Sequence, residues 1–202
     1  MAVSRSTRSG SGSSFGIFIL GIVFTLVVLF AGAYLYLRYG NPPVATADEP
    51  FPFEKQIVHV PLDARIARQM QQPPFGTNEQ VFETGARLYA DSCASCHGVP
   101  GHTTAFAKYM YPTAPQLWQK HPHGNVVGVS DDDAGETYWK IAHGIRLTGM
   151  PSFDHLYSTD QMWDIALLLK NADQPLPDPV MHLLESPANP SSSPSMPALQ
   201  HP

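Results

Sequence analysis

The side chains with the most chemical potential in this chain are concentrated in one pentapeptide. Cys93-Ala94-Ser95-Cys96-His97 holds both cysteines of the 202 residues. Three chemistries use a Cys-x-x-Cys pair. The first is covalent haem attachment, for which Cys-x-x-Cys-His is the c-type signature. Thiols at i and i+3 lie one turn apart on a single helical face. Each can form a thioether with one vinyl of the same porphyrin, and the adjacent His97 can present its imidazole to the iron. The second is a thioredoxin-like dithiol, and the third is half of a zinc site. The histidine narrows the choice towards haem, and the rest of the chain has to decide it.

Haem iron has two axial positions, so a second ligand or an open site must exist. Among the methionines, Met162 lies on a helix face beside Trp163 and reads as core. Met181 and Met196 fall near the C-terminal end, and Met70 precedes the domain. Met110, in "KYMYP", is a candidate. Met150 is the stronger one by context. It follows a helix stop in "GIRLTGMPSF", where Gly149 permits close backbone approach to a flat cofactor and Pro151 stiffens the loop. The rival set is His102, His121, His123, His143 and His155, of which "HPH" at 121–123 looks most like metal bait.

These residues need a scaffold, and the pattern is helical. A first helix is expected from Asn78 to Ser92, capped by Thr77 or Asn78, with Val81, Phe82, Gly85, Leu88 and Tyr89 on one face. A second is expected over Asp131–His143, capped by Ser130 and stopped by Gly144. A third is expected over Thr159–Asn171, where Ser158 and Gln161 form a capping box. No segment alternates as a strand does, so the fold class is all-α.

Outside that core the composition changes. Phe15–Leu37 is an uncharged run of 23 residues, roughly 35 Å as a helix and enough to cross a bilayer core of about 30 Å. Residues 1–14 precede this anchor, and Arg5 and Arg8 place them in the cytoplasm by the positive-inside rule. Residues 38–76 read as a Pro-rich tether and lead-in, with a short helical stretch around "LDARIARQM". The compact domain is expected over 77–171. Residues 172–202 read as a Pro/Ser-rich disordered tail. A core of this size is small, and a buried apolar cofactor would supply much of what it lacks.

Charge excludes one class of partner. All 17 acidic residues follow residue 40, with 9 of the 12 basic ones, leaving that part near −8. Nucleic acid needs a basic footprint and is excluded as a partner. Placement outside the cytoplasm also shifts the reading of the cysteines. A disulfide becomes plausible there, whereas a closed zinc site lacks its second cysteine pair.

Four ordered segments, "LYADSCASCHGVPG", "YPTAPQLW", "YWKIAHGIRLTGMPSF" and "MWDIALLLK", resemble the class I monohaem c-type cytochromes. The nearest likeness is to membrane-anchored bacterial members with a cytochrome-c-oxidase-subunit type of domain. The resemblance covers about Asn78 to Asn171. It implies a cytochrome c fold of about three to five helices around one haem c, attached through Cys93 and Cys96, with His97 proximal and Met150 distal. It implies that Pro115, followed by Leu117, offers its carbonyl to the proximal imidazole. It also implies that the first and last helices cross at small residues, matching Gly85 and Tyr89 on one and Trp163 with Leu167 on the other. Trp118, Arg146 and Tyr111 are candidates to meet the haem propionates. The segment from Gly101 to Ser130 is longer than in compact members, and the tail beyond Asn171 matches nothing in the family.

The function these readings point to is single-electron transfer between membrane redox proteins by a carrier rather than an enzyme. Residues 15–37 would anchor it in a bacterial cytoplasmic membrane with the haem domain on the periplasmic side. The alternative is a fixed haem c subunit of a larger respiratory or photosynthetic complex. A haem enzyme or gas sensor with an open sixth position is a third reading.

Overall fold

The structure is a computed structural model and describes residues 11–122 and 124–185. Contacts divide the chain into two compact units with a boundary between Pro50 and Phe51. In the first, helix α1 runs over Ser11–Tyr39. Its segment Ser14–Tyr39 is long and apolar enough to cross a membrane, with mean hydropathy 2.7. A lipid-facing helix must satisfy its own polar groups, and Thr25 does so by donating its hydroxyl to the Gly21 carbonyl at 2.9 Å.

The second unit is built from helices α2 (Glu54–Gln69), α3 (Glu79–Ser92), α4 (Ala94–His97), α5 (Ala134–His143), α6 (Thr159–Lys170) and α7 (Asp178–Glu185), with a 3-10 turn at Ala107–Tyr109. No strand forms among the described residues, only the isolated bridges Val99–His102 and Lys120–Val127. The chain is therefore all-α, with an apolar N-terminal helix.

The expected caps hold in two helices of three. Asn78 Oδ1 accepts from the Val81 N–H at 3.0 Å, and Ser158 and Gln161 close a full capping box at α6. The third starts later than expected. Asp133, not Ser130, caps α5, accepting from the Gly135 N–H at 2.7 Å. The Ser130 hydroxyl is taken by the Val127 N–H at 3.1 Å, closing the preceding turn. Each such cap contributes about 1 kcal/mol.

The core is the crossing of α3 and α6, with α5 packed on α6 and α7 on α3. Trp163 and Tyr89 are its largest fully buried side chains, and Tyr138 stacks on Trp163 with centroids 4.2 Å apart. The crossing works because position 85 has no side chain. A Cβ there would stand 2.5 Å from the Asp164 carbonyl oxygen and 3.2 Å from Leu168 Cβ. Gly85 therefore meets Asp164 and Leu168, one residue on from the expected Trp163 and Leu167.

Two segments outside the expected domain join this unit. The stretch around 54–69 is a 16-residue helix despite Pro61 inside it. Proline costs the helix one hydrogen bond, and tertiary contacts offset it. Ile66 is buried, the Trp139 indole N–H donates to Gln69 Oε1 at 3.1 Å, and the Arg65 guanidinium lies over the Trp139 ring. At the other end, the reading of 172–202 as disordered fails over 178–185. Asp178-Pro179 opens α7, where proline is tolerated in the first turn. Val180 and Leu184, one turn apart, are buried in the core. Residues 186–202 lie outside the described residues. Leu184→Ala should cost about 2–4 kcal/mol and lower Tm by roughly 10 °C in a thermal melt; a solvated tail would show no change.

Asp164 adds a pH dependence. Burial, with Asp160 one turn before it, pushes its carboxyl up to about 6 from an ordinary 3.8. The folded state thus holds this proton more tightly than the unfolded state. The cost of charging Asp164 is fully present above pH 6 and is relieved as pH falls towards 4. Asp164→Asn should raise Tm by a few degrees at pH 7, and the gain should vanish by pH 4.

Candidate functional site

One cavity of about 340 Å³ brings the sequence-derived residues together. Cys93, Cys96, His97, Pro115, Leu117 and Met150 all line it. The cysteines and His97 arrive at the end of α3 and on α4, while Met150 comes from the loop between α5 and α6.

The cysteine end is fixed by backbone and by one glutamine. Cys96 and His97 donate their N–H groups to the Cys93 carbonyl at 3.1 and 2.9 Å, holding the helical spacing of the two sulfurs. Both thiols are free, so the disulfide alternative is not what this geometry contains. Burial pushes the Cys93 thiol up to about 12, with Cys96 beside it adding to the effect. Burial therefore favours the neutral form of the Cys93 thiol. Gln116 donates its amide to the Cys96 carbonyl at 3.0 Å and accepts the Thr104 N–H at 2.9 Å, tying the following loop back to the motif. Sequence reasoning missed Gln116, since a polar loop residue announces no partner.

His97 is oriented as a ligand should be. Its Nδ1 is 2.7 Å from the Pro115 carbonyl, which can only accept, so Nδ1 carries the proton and Nε2 is left with its lone pair. The Leu117 N–H donates to the His97 carbonyl at 3.0 Å, holding the same loop against the motif. Burial lowers the His97 imidazole below its ordinary value, partly countered by the Pro115 bond, and so favours the neutral form that binds metal.

The Met150 loop is pinned at several points. The Ile145 N–H donates to the Met150 carbonyl at 3.2 Å, the Met150 N–H to Thr148 Oγ1 at 3.1 Å, and the Ser152 hydroxyl to the Ala142 carbonyl at 2.8 Å. Gly144 makes the approach possible. It has φ +65°, and a Cβ there would lie 2.6 Å from the Pro151 carbonyl carbon and 2.8 Å from the Met150 oxygen. Met110 also lines the cavity, with its methyl group packed over Gly149.

Other candidates lie elsewhere. His102, His121, His143 and His155 do not line the cavity; His143 stacks on Trp139 and His155 stands beside Asp154. His123 and Met196 lie outside the described residues. Met162 is buried in the core, as expected. Trp118, Arg146 and Tyr111 are also absent from the lining. Trp118 instead packs edge-on against Tyr89, and the Tyr111 hydroxyl donates to Glu54 Oε1 at 3.1 Å. The cavity does contain His59, which lies in a segment the sequence reading treated as lead-in.

A porphyrin fits this donor set. The cavity is lined mainly by apolar side chains, two free thiols one helical turn apart sit on it, and it holds an imidazole with a free ring nitrogen and two thioethers. The described residues contain no cluster of three or more His, Cys, Asp or Glu suited to a bare metal ion. The family model described as cytochrome C oxidase, cbb3-type, subunit III matches residues 80–169. No curated protein matches the chain. α2 and α7 lie outside the matched segment. Residues 80–169 of this chain form a c-type cytochrome domain of the cytochrome c oxidase cbb3 type.

Proposed function

We propose that this chain is a membrane-anchored monohaem c-type cytochrome that passes single electrons between membrane redox proteins. The observation that carries this is the convergence of Cys93, Cys96, His97 and Met150 on one cavity, with Pro115 orienting His97. When bound, haem supplies a one-electron Fe(II)/Fe(III) couple. Cys93 and Cys96 would hold it covalently through thioethers to its vinyl groups. His97 Nε2 would be a ligand to its iron, and Pro115, by accepting from Nδ1, would raise the basicity of that nitrogen. Met150 would supply a second ligand, a soft neutral sulfur that favours the reduced state. Ile141, Ile165, Leu169 and Phe153 on the lining exclude water, so little solvent has to reorganise as the charge changes.

The cytochrome domain is assigned to 77–171 with α2 and α7 as additions to it, and Phe15–Leu37 is the anchor. Arg5 and Arg8 place the N-terminus in the cytoplasm and the haem domain outside it. The anchor restricts diffusion and raises the local concentration at membrane partners. The test is the midpoint potential of the purified protein together with its rate of oxidation by membranes of the same cell. A comparatively high potential and fast oxidation are expected; a low potential with slow exchange would reject the carrier reading.

A second reading, a fixed subunit of a larger complex, is favoured by a specific feature. Ile57, Val58 and Val60 of α2, with Phe51 and Phe53 before it, are exposed, as a subunit interface would require. Extraction in mild detergent followed by sizing separates the two. A shuttle runs alone, whereas a subunit carries further haem or copper chains with it.

A further inference from the structure

The cavity has an uneven distribution of charge. Apart from His97, its charged and titratable carboxylate, amine and imidazole groups are His59, Asp63, Glu136 and Lys140. The first two are one turn apart on α2, and the last two one turn apart on α5. The two helices are joined side by side through Trp139 and Gln69. The remaining lining is largely aliphatic, aromatic or thioether, with a few hydroxyls. Several of those hydroxyls are already engaged. Tyr89 donates to the Gly98 carbonyl, Ser92 pairs with Tyr157, and Thr148 donates to the Ile145 carbonyl.

Haem is amphiphilic, with a flat apolar body and two propionate carboxylates on one edge. Burying an ionised carboxylate without a partner is costly, so that edge must go where the lining is charged. We propose that the propionate edge lies between α2 and α5, and that His59, from outside the matched cytochrome domain, is its principal partner. The inference rests on haem binding in this cavity as proposed above.

The neighbours of His59 explain why it takes this role. Its Nδ1 is 2.7 Å from the Lys55 carbonyl, one turn back, and must donate to it. Nε2 has no partner among the described residues. With Nδ1 committed as a donor, Nε2 is the ring atom left to meet a carboxylate, and a proton shared between the two would make the contact a charge-assisted bond. Lys140, the other cation on this edge, is already shared. Its Nζ lies 2.6 Å from Glu136 Oε1 and 3.6 Å from Asp132 Oδ2. Asp63 and Glu136 add negative charge to the same edge, and with Lys140 engaged, His59 Nε2 is the uncommitted nitrogen on it. α2 is thereby a working part of the haem site rather than a spacer.

The experiment uses the full-length, matured protein with 13C-labelled propionates. His59→Leu removes the donor, and His59→Gln keeps an N–H donor without the charge. His59 is exposed on its helix, and the thioethers keep haem in place in either variant, which a pyridine haemochrome spectrum checks first. Loss of haem c from wild type would reject the underlying haem reading, not this one. With haem retained, redox-difference infrared spectra should show the propionate band of wild type shifted towards the free carboxylate in His59→Leu. The midpoint potential should fall in the order wild type, His59→Gln, His59→Leu, because a less neutralised propionate stabilises Fe(III). A propionate band unchanged in His59→Leu would overturn the proposal.

Discussion

Met150→Ala should convert a closed haem into one that binds carbon monoxide rapidly at neutral pH when reduced. The wild type should bind it slowly or not at all, because the loop that carries the sulfur is tied to Ala142 of α5 and closed on itself by the Ile145–Met150 bond, and cannot swing away cheaply. The midpoint potential should fall as well. Losing a soft ligand that prefers Fe(II) by a factor of ten corresponds to about 59 mV for a one-electron couple, and a drop of at least that size is expected. The control is Met110→Leu, which removes the other thioether on the cavity. It should keep the closed spectrum and most of the potential. If Met110→Leu opens the site and Met150→Ala does not, the distal ligand has been assigned to the wrong sulfur. If wild type itself binds carbon monoxide rapidly, the gas-sensor or enzyme reading replaces electron transfer.

Gly85→Val should be the most damaging single change to the fold. The atoms a side chain would meet at this position are the Asp164 carbonyl oxygen and carbon, at 2.5 and 2.8 Å. Those are backbone, so no rotamer relieves the clash, and α3 and α6 must move apart. Overpacking costs about 1–3 kcal/mol where side chains can yield, and this position sits at or above the upper end of that range. Tm should fall by more than about 10 °C, and the yield of matured protein should fall with it. The same separation would displace Cys93, which follows α3 directly, from Ile165 and Leu169 of α6 on the cavity lining. A melt within a degree or two of wild type would mean that the crossing is looser than described.

The fold was legible where local signals agree. Ser158-x-x-Gln161 marks a helix start on its own, and the apolar face of 79–92 marks its helix without reference to anything else. The candidate site was legible because Cys93, Cys96 and His97 stand together in one motif, and a lone methionine between Gly149 and Pro151 stands out. Three parts were hidden for physical reasons. α5 offers Ser130, Asp131, Asp132 and Asp133 as caps, and only the turn at 127–130 decides among them. α2 contains Pro61, and α7 opens in a stretch rich in proline. Both exist because Ile66, Val180 and Leu184 find buried partners, which is tertiary information absent from local propensity. His59 was hidden with α2, because a histidine in a presumed linker carries no sign of the cavity it faces. Its spacing to Leu62, Asp63 and Ile66, one helical face, was the available signal.

The most direct test of the central claim is the bond between haem and chain. The protein is matured in a host that attaches haem c, purified, and extracted with acidified acetone. The colour should stay with the precipitated polypeptide, and a pyridine haemochrome spectrum should show both vinyl groups consumed. Cys93→Ser or Cys96→Ser should leave one vinyl intact. Colour that passes into the acetone from the wild-type protein would contradict covalent attachment at Cys93 and Cys96, and with it the assignment of this cavity.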